Sequence, residues 1–323
     1  MRILIQNPYV QRGGAESRLR SLIRHLVREP KVRELHLMCV PGQSWPADEE
    51  HPRLTVHPVE PAKIARWTED LIHERGIDLL QFHNEIEIGC AGLARAQAMG
   101  VPTVWVAHDY WPLCGWRFLM DVFRAESVER CERVEAERCL ACVGPEQIEK
   151  TRRARAVIEA CDAGVVPSSR VAELLEINGV LAGRTRLVEP WIDLDLFASG
   201  SRRPRNPWRV LFAGNLLPHK GVGVLLDAWS RIQRWLPAAE LLLVADGRGA
   251  EEVHARIRRL GLRRVQHHPV VSQERLADLY RSARVTVFPS LWDEVIGLVW
   301  AESLACGTPV VASETGSIPE LLG

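Results

Sequence analysis

The sequence predicts two α/β domains in tandem, each a parallel sheet with helices on both faces. Three observations carry that expectation. A chain of 323 residues is too long for one ordinary core, since domains of roughly 100 to 200 residues are the rule. Short apolar runs alternate with helix-period stretches, the pattern of strand–helix–strand units. The alternation then breaks at 188–207, where SGSRRPRNP has the Ser, Gly, Pro and Arg content of an exposed linker.

Taken in order, a β-like run from Arg2 to Asn7 leads into a glycine turn at Gly13 and Gly14 and a helical stretch to about Glu29. Apolar runs at 34–40, 77–83, 102–107 and 163–167 alternate with helical segments near 61–75, 88–99 and 146–160. Together these predict a first domain of 1–187 with a cysteine-bearing insertion at 110–145. After the linker, a second domain of 208–323 has strands in WRVLFAG, AELLLVAD, RVQHHPV, VTVFPS and TPVVAS, with helices near 221–236, 250–260, 273–283 and 297–305. Both domains read as Rossmann-like and are expected to face each other across a cleft. Such sheets bind ligands outside the carboxyl ends of their strands, where glycine turns and helix N-termini offer free N–H groups to anions.

Composition narrows the function. With 46% hydrophobic and 25% charged residues, and 41 basic residues balancing 41 acidic ones, the chain reads as a soluble globular protein with no pull toward nucleic acid. No apolar stretch follows a basic start, and no run reaches the roughly 18 apolar residues of a membrane span, so a cytoplasmic location is expected. The basic stretches at 152–155 and 202–209 leave peripheral contact with the inner membrane face open, solvated charge being the alternative. Only Lys31, Lys63, Lys150 and Lys220 are lysines, so a functional lysine stands out.

Three motifs suggest chemistry. GGAE at Gly13 to Glu16 follows a strand and opens a helix, so its backbone can approach a pyrophosphate closely; a plain tight turn is the alternative. FAGNLLPHKGV at 212–222 places Lys220 at a helix start, where a cation and N–H groups suit the charge that develops on a departing diphosphate; a solvated surface lysine is the alternative. In DEVIGLVWAESLACGTPVV, Glu294 follows a strand, Ile296 and Gly297 lead into a helix, and Glu302 lies eight residues after Glu294, too far for the two carboxylates to share one task by contact; two exposed helix-terminal acids are the alternative.

With HD at His108 and Asp109, VPSS at 166–169, VEPWIDLDLF at 188–197, CGTPVV at 306–311 and PELL at 319–322, these motifs resemble the retaining glycosyltransferases of family 4, which have the GT-B fold. The resemblance runs nearly end to end. It implies transfer of a hexose from a nucleotide-diphosphate sugar to a hydroxyl acceptor (a sugar, a lipid-linked glycan or a small molecule), with attack on the face from which the diphosphate departs. No cofactor is then required for catalysis. It further implies that Gly13 and Gly14 approach the donor phosphates, Lys220 contacts the diphosphate, Glu302 holds the ribose, Glu294 faces the donor sugar, His108 points toward the sugar, and Asp109 orients the turn or meets the acceptor. Ile296 and Gly297 fall in the donor-binding stretch.

The sequence departs from the pattern at three places. Asn215 stands where the family has an arginine, removing a phosphate cation, with His219 and Arg248 as candidates to compensate. The last glycine turn reads Gly316-Ser317. Family members also continue past PELL with further elements, so the second domain is expected to lack its C-terminal part. A truncated or degenerate module that binds a sugar nucleotide or a protein without catalysis is therefore the competing reading.

Cys114, Cys131, Cys139 and Cys142 cluster in the insertion, Cys139 and Cys142 at C-x-x-C spacing. Four thiolates suit a structural zinc ion; the loose outer spacing leaves zinc, free thiols and disulfides all open. Trp111, Trp116 and Phe118 nearby either stack on a ligand or form a local core.

Overall fold

A computed structural model describes residues 1–10, 13–121, 129–198 and 206–322. Its strands are β1 (Arg2–Gln6), β2 (Glu34–Cys39), β3 (Leu54–Pro58), β4 (Leu79–Phe82), β5 (Thr103–Val106), β6 (Met120–Asp121), β7 (Glu129–Arg130), β8 (Ala163–Val166), β9 (Thr185–Leu187), β10 (Arg209–Ala213), β11 (Glu240–Val244), β12 (Val265–His268), β13 (Val285–Phe288) and β14 (Val310–Ala312). They form a seven-stranded sheet in the order β3-β2-β1-β4-β5-β8-β9, a five-stranded sheet in the order β12-β11-β10-β13-β14, and the hairpin β6-β7. Every pairing in the two large sheets is parallel.

The chain divides into two compact units, Met1–Leu119 with Cys131–Glu189 and Met120–Arg130 with Pro190–Gly323. Each is a doubly wound α/β layer structure. In the second unit, alternate residues of β11 serve opposite faces, as the two-residue period of a strand requires. Leu241 and Leu243 pack with Leu225, Leu226 and Trp229 of the helix Val222–Trp235. Leu242 and Val244 pack on the other face with Ala277, Leu279 and Tyr280 of the helix Gln273–Ser282. In the first unit, Leu19 and Ile23 of the helix Gly14–Leu26 cover Ile3, Ile5, Leu35 and Leu37. Strands buried on both faces explain the near-continuous apolar runs β1 and β2.

Strand order reverses between β1 and β4 in one sheet and between β10 and β13 in the other, the points at which open α/β sheets take their ligands.

Two boundary expectations need correction. The linker at 188–207 is not an exposed tether along its described length. Leu194–Phe197 is helical, Phe197 is buried among Leu211, Ala277 and Tyr280, and Arg281 donates to the carbonyls of Leu196 and Phe197 at 2.8 and 3.2 Å. An aromatic side chain that gains a core leaves the tether, so the second unit begins at Pro190. Residues 199–205, which carry most of SGSRRPRNP and part of the basic stretch, lie outside the described residues. The insertion at 110–145 is also divided, because Met120–Arg130 groups with the second unit. Among the described residues no helix is long and apolar enough to cross a membrane.

Candidate active site

In the second unit the loop after β10 is pressed against the loop after β13. Gly221 has φ +71°, and a Cβ there would lie 1.7 Å from the carbonyl oxygen of Pro289, so only glycine permits this approach. The backbone N–H of Leu291 donates to the carbonyl of His219 at 2.9 Å, fixing the two loops in register. Lys220 Nζ consequently lies 2.6 Å from Glu294 Oε1, and Ser290 Oγ donates to the same oxygen at 2.5 Å. Lys220 Nζ also stands 5.0 Å from the ring centroid of Trp292, within cation–π range.

A third loop holds Glu294 from behind. Gly316 has φ +57°, and a Cβ there would lie 2.2 Å from the Glu294 nitrogen. The N–H of Ser317 donates to the Glu294 carbonyl at 3.0 Å, and the N–H of Gly316 donates to Asp293 Oδ1 at 3.1 Å. Gly316 alone takes the left-handed conformation, so Ser317 sits in this turn without backbone strain. The Glu294 side chain is 3% exposed and that of Lys220 19%, which leaves the ammonium as the accessible end of the pair.

Glu302 stands apart from this group. It is buried on the helix Leu298–Ala305 and accepts a hydrogen bond from the Tyr280 hydroxyl at 3.0 Å; burial pushes its carboxyl up to about 7. Gly297, with φ +64°, precedes that helix. The Ile296 side chain is buried and its carbonyl accepts from Trp300 Nε1 at 3.0 Å, so this stretch can offer a ligand only the free N–H groups of a helix start. Asn215 accepts the N–H of Leu217 at 3.3 Å and shapes its own turn. Of the two expected substitutes, His219 is no cation here, whereas Arg248 is 65% exposed on the loop whose Gly249 lies against the Leu216 carbonyl. His219 is buried against Trp292, its pKa driven down to about 3 by burial and by the Lys220 charge, and is neutral. Arg248 is paired with its neighbour Asp246 at 3.3 Å.

The first unit gathers its residues at the carboxyl ends of β1, β4 and β5. Gly13 caps the helix Gly14–Leu26 in an ordinary extended conformation, and Gly14 is exposed. His108 Nε2 lies 2.8 Å from Nδ1 of His83. Burial, with the Arg18 guanidinium near both rings, lowers His83 to about 3 and His108 well below its ordinary value, so both imidazoles are neutral. Asp109 accepts from the N–H of Trp111 at 2.9 Å and from Arg117 Nη1 at 3.1 Å, and Arg117 is also paired with Glu85. These bonds hold the turn that carries His108. Trp111 is buried edge-on to Phe82 and Trp105, so it is core; Trp116 is half exposed and donates to the Cys142 carbonyl at 3.3 Å.

No disulfide joins any of the cysteines, all of which are described. Cys139 and Cys142 share the helix Ala136–Val143, and burial raises Cys131 to about 11 and Cys139 in the same direction. Among the described residues no three Cys, His, Asp or Glu side chains are placed to hold a metal ion. Cys114, Cys139 and Cys142 nonetheless lie within electrostatic reach of Cys131.

The model for Glycosyltransferase Family 4 matches residues 12–196, and that for Glycosyl transferases group 1 matches 196–323. The chain belongs to glycosyltransferase family 4. It is 38% identical over 181 residues to D-inositol 3-phosphate glycosyltransferase 2 of Catenulispora acidiphila, an alignment covering 50% of this chain and 42% of the relative. It is 29% identical over 266 residues to D-inositol 3-phosphate glycosyltransferase of Mycolicibacterium smegmatis, covering 76% and 60%. The chain thus spans about half the length of the curated relatives it matches. Among solved structures it resembles Anabaena HepE in complex with UDP-glucose (TM-score 0.73, 18% identity, 100% of this chain and 83% of that one). It also resembles sucrose-phosphate synthase from Thermosynechococcus elongatus (TM-score 0.70, 19% identity, 98% and 82%). At this identity the likeness shows the fold, which is GT-B.

Within this family 4 protein, sequence reasoning placed Lys220 and Glu294 in separate roles and did not foresee that they form an ion pair. It also missed His83, Tyr280, Ser290 and Arg117, each of which touches a residue it named. Of these only His83, a histidine just after an apolar run, carried a readable signal.

Proposed function

We propose that this protein transfers a hexose from a nucleotide-diphosphate sugar to a hydroxyl acceptor with retention of configuration. The observation that carries the reading is the Lys220–Glu294 pair, set at the β10/β13 reversal by two glycines whose backbones admit no side chain. Partial burial strengthens a charge interaction, and a cation aimed at a departing diphosphate lowers the barrier most when it is fixed beforehand. Lys220 takes the diphosphate charge. As it turns to the phosphates, Glu294 loses its counterion and becomes an acceptor for hydroxyls of the donor sugar. Glu302 accepts bonds from the ribose, and His108 meets the sugar from the first unit. No protein nucleophile takes part, the acceptor hydroxyl attacking on the face from which the diphosphate leaves. The UDP-glucose in HepE supports a nucleotide-sugar donor, and the relatives' names support glycosyl transfer; the acceptor stays open.

Calorimetric titration with uridine, guanosine and adenosine diphosphate sugars tests the donor site. Selective, saturable binding is expected, and Lys220→Ala should weaken it by about tenfold or more, the value of a lost charge-assisted hydrogen bond, while the circular dichroism spectrum stays unchanged. Equal affinity in the variant would remove Lys220 from the site. The anomeric configuration of product, read by NMR once an acceptor turns over, tests retention.

A further inference from the structure

His83 is used by none of the steps above, yet it is one of the most enclosed polar groups in the molecule. It follows β4, its backbone N–H donates to the Gln6 carbonyl at 3.0 Å, and its side chain is 2% exposed. One ring nitrogen, Nδ1, reaches His108 Nε2 at 2.8 Å. The other, Nε2, is buried with no hydrogen-bond partner among the described residues. His108 follows the adjacent strand β5 and is half-buried; the structure gives its Nδ1 no partner among the described residues.

Two neutral imidazoles can share this contact in two ways. In the first, His108 Nε2–H donates to His83 Nδ1, which obliges His83 to carry its own proton on the enclosed Nε2. That would be a buried N–H with no acceptor, a group that folded proteins rarely leave unmet. In the second, His83 Nδ1–H donates to His108 Nε2, and the enclosed Nε2 of His83 is a bare lone pair, which is the lesser cost. The proton of His108 then has one place left, its Nδ1. The Arg18 guanidinium, within electrostatic reach of both rings, opposes a third proton on the pair.

We infer that His83 is a positioning residue that fixes His108 as the tautomer protonated on Nδ1, so that His108 presents a hydrogen-bond donor, and no basic nitrogen, to whatever lies against it. A donor of that kind suits a sugar hydroxyl or ring oxygen and is unsuited to taking a proton from an acceptor. His108 therefore orients the sugar and is not the general base of the reaction. The tautomer stands on the histidine pair alone; its consequence for the sugar rests on the donor-site reading above.

The experiment is nitrogen-15 NMR of the histidine side chains in the full chain, with His108 assigned by comparison with His108→Gln. The expected spectrum shows His108 with a protonated Nδ1 and a bare Nε2, the reverse of the form that free histidine favours in water. A protonated Nε2 in the parent protein overturns the inference without any variant having to fold. His83→Leu removes the donor and should return His108 to the Nε2–H form. His83→Asn, whose amide N–H stands near the place of Nδ1, should restore the Nδ1–H form. An unmoved His108 tautomer in folded His83→Leu also overturns the inference. Affinity for the nucleotide sugar found by calorimetry is expected to fall about tenfold in His83→Leu, the scale of one misdirected hydrogen bond, and to recover in His83→Asn. A tautomer that changes while affinity holds would instead sink the placement of His108 against the donor sugar and leave the tautomer assignment standing.

Discussion

A buried carboxyl group with a single neutral hydrogen-bond donor works against the fold that contains it. Glu302 is such a group, pushed up from 4.5 to about 7 by burial, with Tyr280 pulling weakly the other way. Its folded-state pKa lies above the unfolded one, so the folded state holds the proton more tightly between those values. Stability therefore falls as pH rises from about 4.5 to about 7 and is level beyond. The shift corresponds to at most about 3 kcal/mol. Glu302→Gln should accordingly raise the melting temperature at pH 8 and leave it unchanged at pH 4, while weakening nucleotide-sugar binding at both. Equal melting temperatures at pH 8 would mean that the carboxylate is already compensated. A residue that costs stability in the empty protein is what a ligand-binding role would select for.

At the scale of elements, the site depends on loops that touch backbone to backbone. Gly221 and Gly316 matter because each stands where a neighbouring peptide occupies the space of a Cβ. Gly221→Ala must push Pro289 away and adopt a left-handed conformation, and should cost about 3 kcal/mol, the upper end of the usual range for single substitutions; urea unfolding checks this. Gly249, also left-handed and close to Leu216, is under the same restriction. Sequence patterning read the central strands β1, β2, β10 and β11 well because both their faces are buried and the apolar signal is continuous. It passed over β3, LTVHP, whose residues are mostly half-buried or exposed, and β9, a three-residue strand at the sheet edge. Periodicity needs a length and a contrast that neither provides. The helix Ser169–Ile177 was named only as VPSS, although the Ser168 hydroxyl accepting the Val171 N–H is the reason for that motif: it is a helix cap.

For the whole molecule, the sequence told the two large parallel sheets and the residues at their carboxyl ends, because glycines and charged residues after apolar runs are local signals. It did not tell which of those residues touch. Lys220 and Glu294 are 74 positions apart, His83 and His108 are 25 apart, and only the strand order joins them. Nor could composition reveal that Phe197 closes the core of the second unit. A nucleotide diphosphate should protect that unit selectively: hydrogen exchange is expected to slow at 214–222 and 289–302, with the first unit's central strands unaffected. Protection confined to the first unit would contradict the donor site. The Lys220–Glu294 pair has one more consequence, for the bench. The chain has four lysines; Lys31 is exposed, Lys63 and Lys150 are 62% and 69% exposed, and Lys220 is 19% exposed. An amine-directed reagent will label three of them at once and the fourth slowly, so the tryptic peptide bearing Lys220 is a built-in occupancy meter that reads, by mass, whether anything has taken the place of solvent at that ammonium.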